Sequence, residues 1–171
     1  MYTVPLEESW LDYPSPDGNA VAVILTGCEH HCIGCHSVGL QKVKTYAEEP
    51  KKLALRIKEF CKRACTNKIV LLGGDPLLCS NLGITRYLVD NLSSEYDICI
   101  YTGYDIEYVK KLQITGVKYF KCGKYLKEFS RDSQKTDSSF ILASSNQDFY
   151  DGNYNNCLLY TSPSPRDRSL S

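Results

Sequence analysis

The sequence predicts an α/β fold, an open partial (βα) barrel with mostly parallel strands. Short apolar runs rich in β-branched residues recur along the chain, each followed by a glycine-containing turn, which is typical of strands buried on both faces. Amphipathic helical segments separate these runs, and strands that alternate with helices are usually parallel. The few strands found cannot close an eight-stranded barrel, so we expect one side to stay open.

The predicted strands are the apolar runs at residues 20–26, 68–72, 97–101 and 117–120. The first of them, AVAVILT, is apolar throughout, and the others repeat this pattern at shorter length. After residue 130 the chain turns polar and rich in Ser, Asn and Asp. We therefore expect a long loop over residues 130–156, in which only residues 140–143 are strand-like.

The predicted helices lie between the strands, at residues 50–65, 81–92 and 106–113. Pro50 suits the first turn of the first helix, Ser80 suits the N-cap of the second, and Asp105 suits that of the third. In the first helix apolar residues recur three and four positions apart, so one helix face packs against the sheet. Cys61 and Cys65 fall on that face, and we expect both to be small buried thiols.

Composition and charge favour one globular domain, which we place at residues 1–159. The chain has 171 residues with 20 basic and 20 acidic side chains, so its formal net charge is zero. No broad electrostatic contact with nucleic acid or anionic lipid is therefore expected. Residues 160–171 are rich in Ser, Pro and Arg and resemble translated sequencing-adapter sequence, so we assign them no function and expect disorder.

The cysteine content indicates a reducing compartment. The 9 cysteines are odd in number and spread along the chain, which disfavours an extracellular disulfide scaffold. The first residues carry neither a basic leader nor an apolar run, and no segment has the length of a membrane span. The sequence therefore predicts a soluble, cytoplasmic protein.

Three of the cysteines form the motif C-x3-C-x2-C directly after the first predicted strand, at Cys28, Cys32 and Cys35. Three thiolates can hold three irons of a four-iron cluster and leave the fourth iron free for another ligand. A structural zinc site is the alternative, because nearby histidines offer a fourth donor. These histidines are His30, His31 and His36. For the first two, a role in hydrogen bonding or proton transfer near the sulfurs and simple solvation in the loop are both open.

A second motif, Gly73-Gly74-Asp75-Pro76, follows the second predicted strand. Paired glycines let the backbone approach a ligand and a carboxylate can meet a cation, although an ordinary strand-to-helix turn favours the same residues. In parallel α/β folds the chemistry lies at the carboxyl ends of the strands. We therefore expect three loops to meet at one site. These loops are residues 27–37, 73–76 and 102–104.

Together, the cysteine motif and the GGDP motif resemble the radical S-adenosylmethionine superfamily. The resemblance implies that Cys28, Cys32 and Cys35 ligate a [4Fe-4S] cluster, whose fourth iron is chelated by the amino and carboxylate groups of S-adenosylmethionine. The GGDP motif would hold the ammonium end of this cofactor. Tyr101 and Tyr104 flank a turn beside it, where an aromatic face can pack on adenine, although tyrosines at strand ends are commonly just amphipathic packing. The expected cofactor-binding residues are Gly34, Cys35, His36, Gly73, Gly74, Asp75 and Tyr104.

Finer motifs occur in the order found in anaerobic (class III) ribonucleotide reductase activating proteins, and the similarity covers about residues 1–150. These motifs are GCEHHCIGCH at 27–36, GGDPL at 73–77, YTGY at 101–104, GKY at 123–125 and SSNQ at 144–147. The resemblance implies an enzyme that cleaves S-adenosylmethionine reductively and forms a glycyl radical on the large subunit of the reductase. Flavodoxin or ferredoxin would donate the electron, and no catalytic residue is expected beyond the cluster and the cofactor.

Two other functions remain open from the sequence. One is a different radical S-adenosylmethionine enzyme, such as a pyruvate formate-lyase type activase or a deazapurine carbon-insertion enzyme. The other is a zinc-binding interaction module without catalysis, in which the cysteine motif is purely structural.

Overall fold

A six-stranded sheet organises the part of the chain that the computed structural model describes, namely residues 2–11, 13–15, 18–130 and 142–160. The strands follow their chain order across the sheet. They are β1 Leu6–Trp10, β2 Ala20–Leu25, β3 Lys68–Gly73, β4 Asp97–Thr102, β5 Tyr119–Cys122 and β6 Asp148–Asp151. β2 to β5 pair in parallel, whereas β1 and β6 join the two edges antiparallel. The predicted α/β class and mostly parallel sheet are confirmed.

The helices connect consecutive parallel strands and cover one face of the sheet. They are α1 Pro50–Arg63, α2 Cys79–Leu92 and α3 Ile106–Leu112. The apolar spacing read in the first helix is confirmed, because Leu53, Ile57 and Cys61 are all buried against the larger of two apolar clusters. This cluster joins the helices to the face of the sheet that carries the side chains of Val23, Leu71 and alternate residues of β4 and β5.

Two details at the helix ends differ from the prediction. α2 begins at Cys79, one residue before the expected cap Ser80, and its N-cap residue Leu78 makes no side-chain hydrogen bond. Cys65 lies beyond the end of α1 with a φ of 50° and is exposed. The expectation of two buried thiols on one helix face is therefore wrong for Cys65, because the left-handed turn points the chain away from the helix.

The opposite face of the sheet carries a second, smaller apolar cluster around Val70, Cys99 and Phe149. Phe149 belongs to β6, which the sequence did not predict and which interrupts the long loop expected over residues 130–156. β1 was missed as well. Residues 140 and 141 of the strand-like run 140–143 lie outside the described residues, as do residues 161–171 of the predicted tail.

Asp105 caps α3 as the sequence predicts, since its side chain accepts a hydrogen bond from the backbone N–H of Tyr108 at 2.8 Å. We expect Asp105→Ala to lower the free energy of unfolding by about 1 kcal/mol, because one N–H of the first turn loses its acceptor. Urea denaturation measures this change. Glu107→Ala on the same helix is the matched control and should change stability by less than about 0.5 kcal/mol. Equal effects of the two substitutions would contradict the capping role.

Candidate functional site

A cavity of about 310 Å³ lies at the carboxyl ends of the central strands. Cys28, Cys32 and Cys35 line it from the loop after β2, Gly73 and Gly74 from the loop after β3, and further residues from the loops after β4 and β5. The prediction that three loops meet at one site is confirmed. The carboxyl edge of a parallel sheet is where ligands bind in α/β folds.

Backbone hydrogen bonds join the two ends of the cysteine loop. The N–H of Gly27 donates to the carbonyl of Leu40 at 2.7 Å, and that of Cys28 donates to the carbonyl of Gln41 at 2.9 Å. Inside the loop, the N–H of Cys35 donates to the carbonyl of Cys32 at 3.2 Å. These contacts tie both ends of the loop to the β2 terminus and leave the three thiols on the cavity wall.

The thiols of the loop are free and half-buried. Burial raises the pKa of Cys28, and the nearby Asp75 and the other two cysteines raise it further, while a hydrogen bond from the backbone of His30 lowers it. If all three thiols lose their protons, the thiolates repel one another, and a bound cationic group relieves this repulsion.

The carboxylate of Asp75 joins all three loops beneath the cavity. Asp75 is 1% exposed, and its Oδ1 accepts hydrogen bonds from the N–H of Leu77 and the hydroxyl of Thr102, both at 2.9 Å. Its Oδ2 accepts from the N–H of Gly103 at 2.9 Å and lies 2.7 Å from Nε2 of His30. Because a carboxylate only accepts hydrogen bonds, Nε2 of His30 donates.

His30 is consequently a fixed part of the site and is not a solvated loop histidine. Its side chain is 5% exposed, and its ring packs edge-on against Tyr104 with centroids 4.5 Å apart. His31, in contrast, is exposed with a φ of 48°. Of the two interpretations left open by the sequence, solvation is wrong for His30, whose side chain hydrogen-bonds Asp75.

Glycine is required where the loops touch. A Cβ on Gly74 would lie 2.3 Å from the carbonyl oxygen of Gly27, and a Cβ on Gly103 would lie 2.3 Å from the ring of His30. Such distances exclude any side chain without movement of the backbone or the imidazole. The paired glycines after β3 therefore let the second loop lie directly against the cysteine loop.

The SSNQ motif organises the loop after β5. Gln147 donates from Nε2 to the carbonyl of Gly123 at 2.9 Å, and its Oε1 accepts from the N–H groups of Ala143 and Ser144. Asn146 donates to the carbonyl of Lys124 at 2.8 Å. The two most C-terminal motifs of the sequence thus form one unit at the cavity rim.

The remaining predicted cofactor residues lie in different places. His36 lines the cavity, whereas Gly34 is an exposed residue of the cysteine loop. Tyr104 lines a neighbouring cavity, where its ring stacks on Tyr108 and its hydroxyl donates to Glu29 at 2.5 Å. Burial and this hydrogen bond raise the pKa of Tyr104.

Several cavity residues escaped the sequence analysis, notably Trp10, Lys121 and Gln41. Trp10 belongs to the unpredicted β1, so no pattern pointed to it. Lys121 carried a signal, because a lysine lies between Phe120 and Cys122 in a run that is otherwise apolar or aromatic. In a strand with period two, that lysine faces away from the helices and toward the second cluster.

Comparison with known proteins identifies the family. The model of the 4Fe-4S single cluster domain family matches residues 16–149. The chain belongs to this family. It is also 29% identical over 126 residues to the anaerobic ribonucleoside-triphosphate reductase-activating protein of Enterobacteria phage T4, which covers 68% of this chain and 77% of that protein. The predicted resemblance to activating proteins is confirmed. No solved structure matches the chain significantly.

The three cysteines on the cavity wall fit the 4Fe-4S cluster after which this family is named. Among the described residues, no three His, Cys, Asp or Glu side chains are close enough together to hold a single metal ion. A four-iron cluster places each thiolate on a different iron, so its ligands need not converge on one point. The buried indole Nε1 of Trp10 has no hydrogen-bond partner among the described residues, which suits a cavity that takes a polar ligand.

In the described part of the chain, no helix is long and apolar enough to cross a membrane.

The other cysteines of this 4Fe-4S domain differ in reactivity. Burial raises the pKa of Cys61 and of Cys122 to about 12, whereas Cys65 and Cys79 are exposed. Because the thiolate is the nucleophile, a raised pKa leaves almost no reactive form at about pH 8. We expect iodoacetamide to label Cys65 and Cys79 in the folded protein and to spare Cys61 and Cys122 until urea unfolds it. Mass mapping checks this, and labelling of Cys61 as fast as Cys65 would contradict it.

Proposed function

We propose that the chain is a radical S-adenosylmethionine activase, which cleaves S-adenosylmethionine at a [4Fe-4S] cluster and removes a hydrogen atom from a glycine of an anaerobic ribonucleoside-triphosphate reductase. One observation carries the proposal: the three cysteines of the motif and the paired glycines after β3 line the same cavity. Membership of the 4Fe-4S single cluster domain family and the similarity to the phage T4 activating protein support it.

The chain's own residues would place and shield the reacting groups. Cys28, Cys32 and Cys35 hold the cluster. When bound, the cluster and its cofactor supply the redox chemistry: one electron breaks a carbon–sulfur bond of the sulfonium, and the adenosyl fragment takes a hydrogen atom from the glycine. The apolar and aromatic wall of the cavity, which includes Leu72 and Tyr101, excludes water from that step.

The ammonium end of S-adenosylmethionine would be held by the backbone of Gly73 and Gly74, which line the cavity. Asp75 was expected to contact the same group. Because its carboxylate is enclosed by four donors, we propose that Asp75 acts by fixing the loop that carries the two glycines.

The remaining contacts of the cofactor follow from the cavity wall. His36 would contact S-adenosylmethionine through its backbone, and Gly34 would shape the loop around Cys35. Adenine packing on Tyr104 stays a prediction, and Tyr101 offers an aromatic face in the cavity itself.

Side chains of β1, β3, β4 and β5 all line this cavity, which supports a sheet curved into the predicted partial barrel of the radical S-adenosylmethionine type.

The proposed protein partner is the large subunit of the reductase, and the proposed electron donor is flavodoxin or ferredoxin, with the cytoplasm as the site of the reaction. The support for the partner is the phage T4 relative, which by its name activates such a reductase. A protein-borne glycine must reach the cofactor on a loop. The cavity opens at the carboxyl edge of the sheet, where such a loop can enter.

Anaerobic reconstitution with iron and sulfide tests the proposal. We expect about four irons per chain, an electron paramagnetic resonance signal after reduction, and formation of methionine and 5'-deoxyadenosine when S-adenosylmethionine is added. Addition of the cognate reductase should give a glycyl-radical signal that depends on S-adenosylmethionine.

Each other outcome points to a different function. Uptake of one zinc with no cleavage of S-adenosylmethionine would establish the zinc-binding module and overturn the proposal. Cleavage of S-adenosylmethionine without a glycyl-radical signal on the reductase would support the assignment to the superfamily but exclude the reductase as the partner. In that case a pyruvate formate-lyase type enzyme is the next substrate to assay.

A further inference from the structure

Tyr104 contacts the cysteine loop directly beside the first of its three thiols. The hydroxyl of Tyr104 donates to Oε1 of Glu29 at 2.5 Å. Its ring packs against the ring of His30, with the centroids 4.5 Å apart and the planes at 76°. Glu29 and His30 are the two residues that follow Cys28. One side chain of the loop after β4 therefore contacts both residues that lead away from this cysteine.

The backbone and the ring of Tyr104 are themselves held by the loops after β4 and β5 and by α3. Its N–H donates to Oγ1 of Thr102 at 3.2 Å, and its carbonyl accepts from the N–H of Gly123 at 3.0 Å. Its ring stacks on Tyr108 of α3, with centroids 3.9 Å apart and planes 17° from parallel. Tyr104 is therefore a firm support, whereas residues 26–37 of the cysteine loop form no helix or strand.

Such a support matters because a loop that carries metal ligands has to keep them in place. Groups behind the ligands orient them, and a displacement of about 1 Å in a reacting site can cost a factor of 100 in rate. The hydrogen bond of His30 to Asp75 holds the cysteine loop from beneath the cavity. Tyr104 adds a second support, from the side of the neighbouring cavity that it lines with Glu29.

Resting on the proposed function, we propose that Tyr104 is a positioning residue, which holds the segment after Cys28 and so sets where this thiolate presents the cluster to S-adenosylmethionine. This role differs from adenine packing, which requires an uncovered ring face in the cavity that takes the cofactor. Tyr108 covers one face of the Tyr104 ring, and the ring lines the neighbouring cavity.

Two ligands separate placement of the cluster from contact with adenine. S-adenosylmethionine would bind the open iron through its methionine part, whereas 5'-deoxyadenosine has the same adenine and no methionine part. In equilibrium dialysis with the oxidised, cluster-loaded protein, we expect Tyr104→Leu to weaken S-adenosylmethionine about 10-fold, the lower end of the range for groups that orient metal ligands. Binding of 5'-deoxyadenosine should change by less than about 2-fold, because it makes no contact with the cluster. Equal weakening of both ligands would indicate adenine packing and overturn the proposal.

Tyr96→Leu is the matched control. Tyr96 precedes β4 as Tyr104 follows it, and both rings pack against the larger apolar cluster. The two substitutions therefore remove the same side-chain atoms from opposite ends of one strand. Tyr96→Leu should leave the binding of both ligands unchanged, and a loss of S-adenosylmethionine binding equal to that in Tyr104→Leu would show a general effect of destabilisation.

The contact between Tyr104 and Glu29 is tested by a double-mutant cycle. Tyr104→Phe keeps the ring and loses the donor, and Glu29→Ala loses the acceptor. Each should weaken S-adenosylmethionine about 3-fold, within the range for one lost hydrogen bond. The double substitution should bind no more weakly than either single one, since both remove the same contact. Additive losses would overturn the proposal, as would wild-type affinity in Tyr104→Phe.

The two milder variants also decide the question if Tyr104→Leu fails to fold, as judged by circular dichroism, or takes up no iron. A wild-type protein that holds about four irons but binds no S-adenosylmethionine would contradict the proposed function itself. Wild-type binding with full retention in all the Tyr104 and Glu29 variants would contradict the positioning role alone.

Discussion

Replacing Cys28, Cys32 or Cys35 by alanine is expected to abolish cluster loading. Each thiolate of the proposed cluster binds a separate iron, so two thiolates cannot retain a cubane that needs three. Iron content after anaerobic reconstitution should fall from about four atoms per chain to nearly none. The visible absorbance of the cluster should disappear with it, because sulfur-to-iron charge transfer is lost. The fold itself should persist, since all three cysteines lie on a surface loop and are only half-buried.

Cys61→Ala is the matched control for these three substitutions. Cys61 is 1% exposed and packs inside the helix-covered cluster of the core. Its replacement should lower the free energy of unfolding by about 1 kcal/mol and leave iron loading intact. Loss of iron in Cys61→Ala, or full loading in Cys32→Ala, would show that the ligand set is wrong.

The elements predicted from the sequence are those whose buried residues form a regular apolar pattern along the chain. β2 to β5 are nearly continuous apolar runs, and α1 shows its apolar stripe at helical spacing, so the alternation of strands and helices was visible. The edge strands carried no such pattern. In β1 the residues Glu7, Glu8 and Ser9 are all exposed, and in β6 only Phe149 is fully buried. Both strands form because a sheet edge offers hydrogen bonds to the chain, which is a tertiary property.

The candidate site, like the fold, has parts that the sequence predicts and parts that it does not. The cysteine motif and the glycine loops were predictable, because spacing and glycine pairs are local and the end of a strand fixes where a loop lies. The enclosure of Asp75 was not predictable, since its partners His30 and Gly103 are 45 and 28 residues away along the chain. Lys121 carried a local signal as a lysine between Phe120 and Cys122, but its place in the cavity depends on the neighbouring strands that carry Tyr101 and Phe149.

Asp75→Ala is expected to destabilise the protein by about 3–5 kcal/mol, the cost of removing one partner from a buried, hydrogen-bonded charge. The hydroxyl of Thr102, the N–H groups of Leu77 and Gly103, and Nε2 of His30 would all lose their acceptor. Because these donors belong to three different loops, the loops should separate. Cluster loading should therefore drop sharply although every cysteine is present, and urea denaturation together with iron content measures both effects.

Asp75→Asn separates the hydrogen-bonding role from a simple loss of volume. The amide keeps one acceptor oxygen for Leu77 and Thr102 but turns an NH₂ group toward the N–H of Gly103, so we expect an intermediate loss of about 1–3 kcal/mol. Asp97→Ala removes a surface carboxylate that pairs with Lys118 at 2.7 Å, and it should cost less than about 1 kcal/mol. A double substitution of His30 and Asp75 by alanine should cost less than the sum of the single changes, because the two side chains share one contact. Additive losses, or an Asp75→Ala protein that is as stable and as fully loaded as the wild type, would mean that the three loops are held together by other contacts.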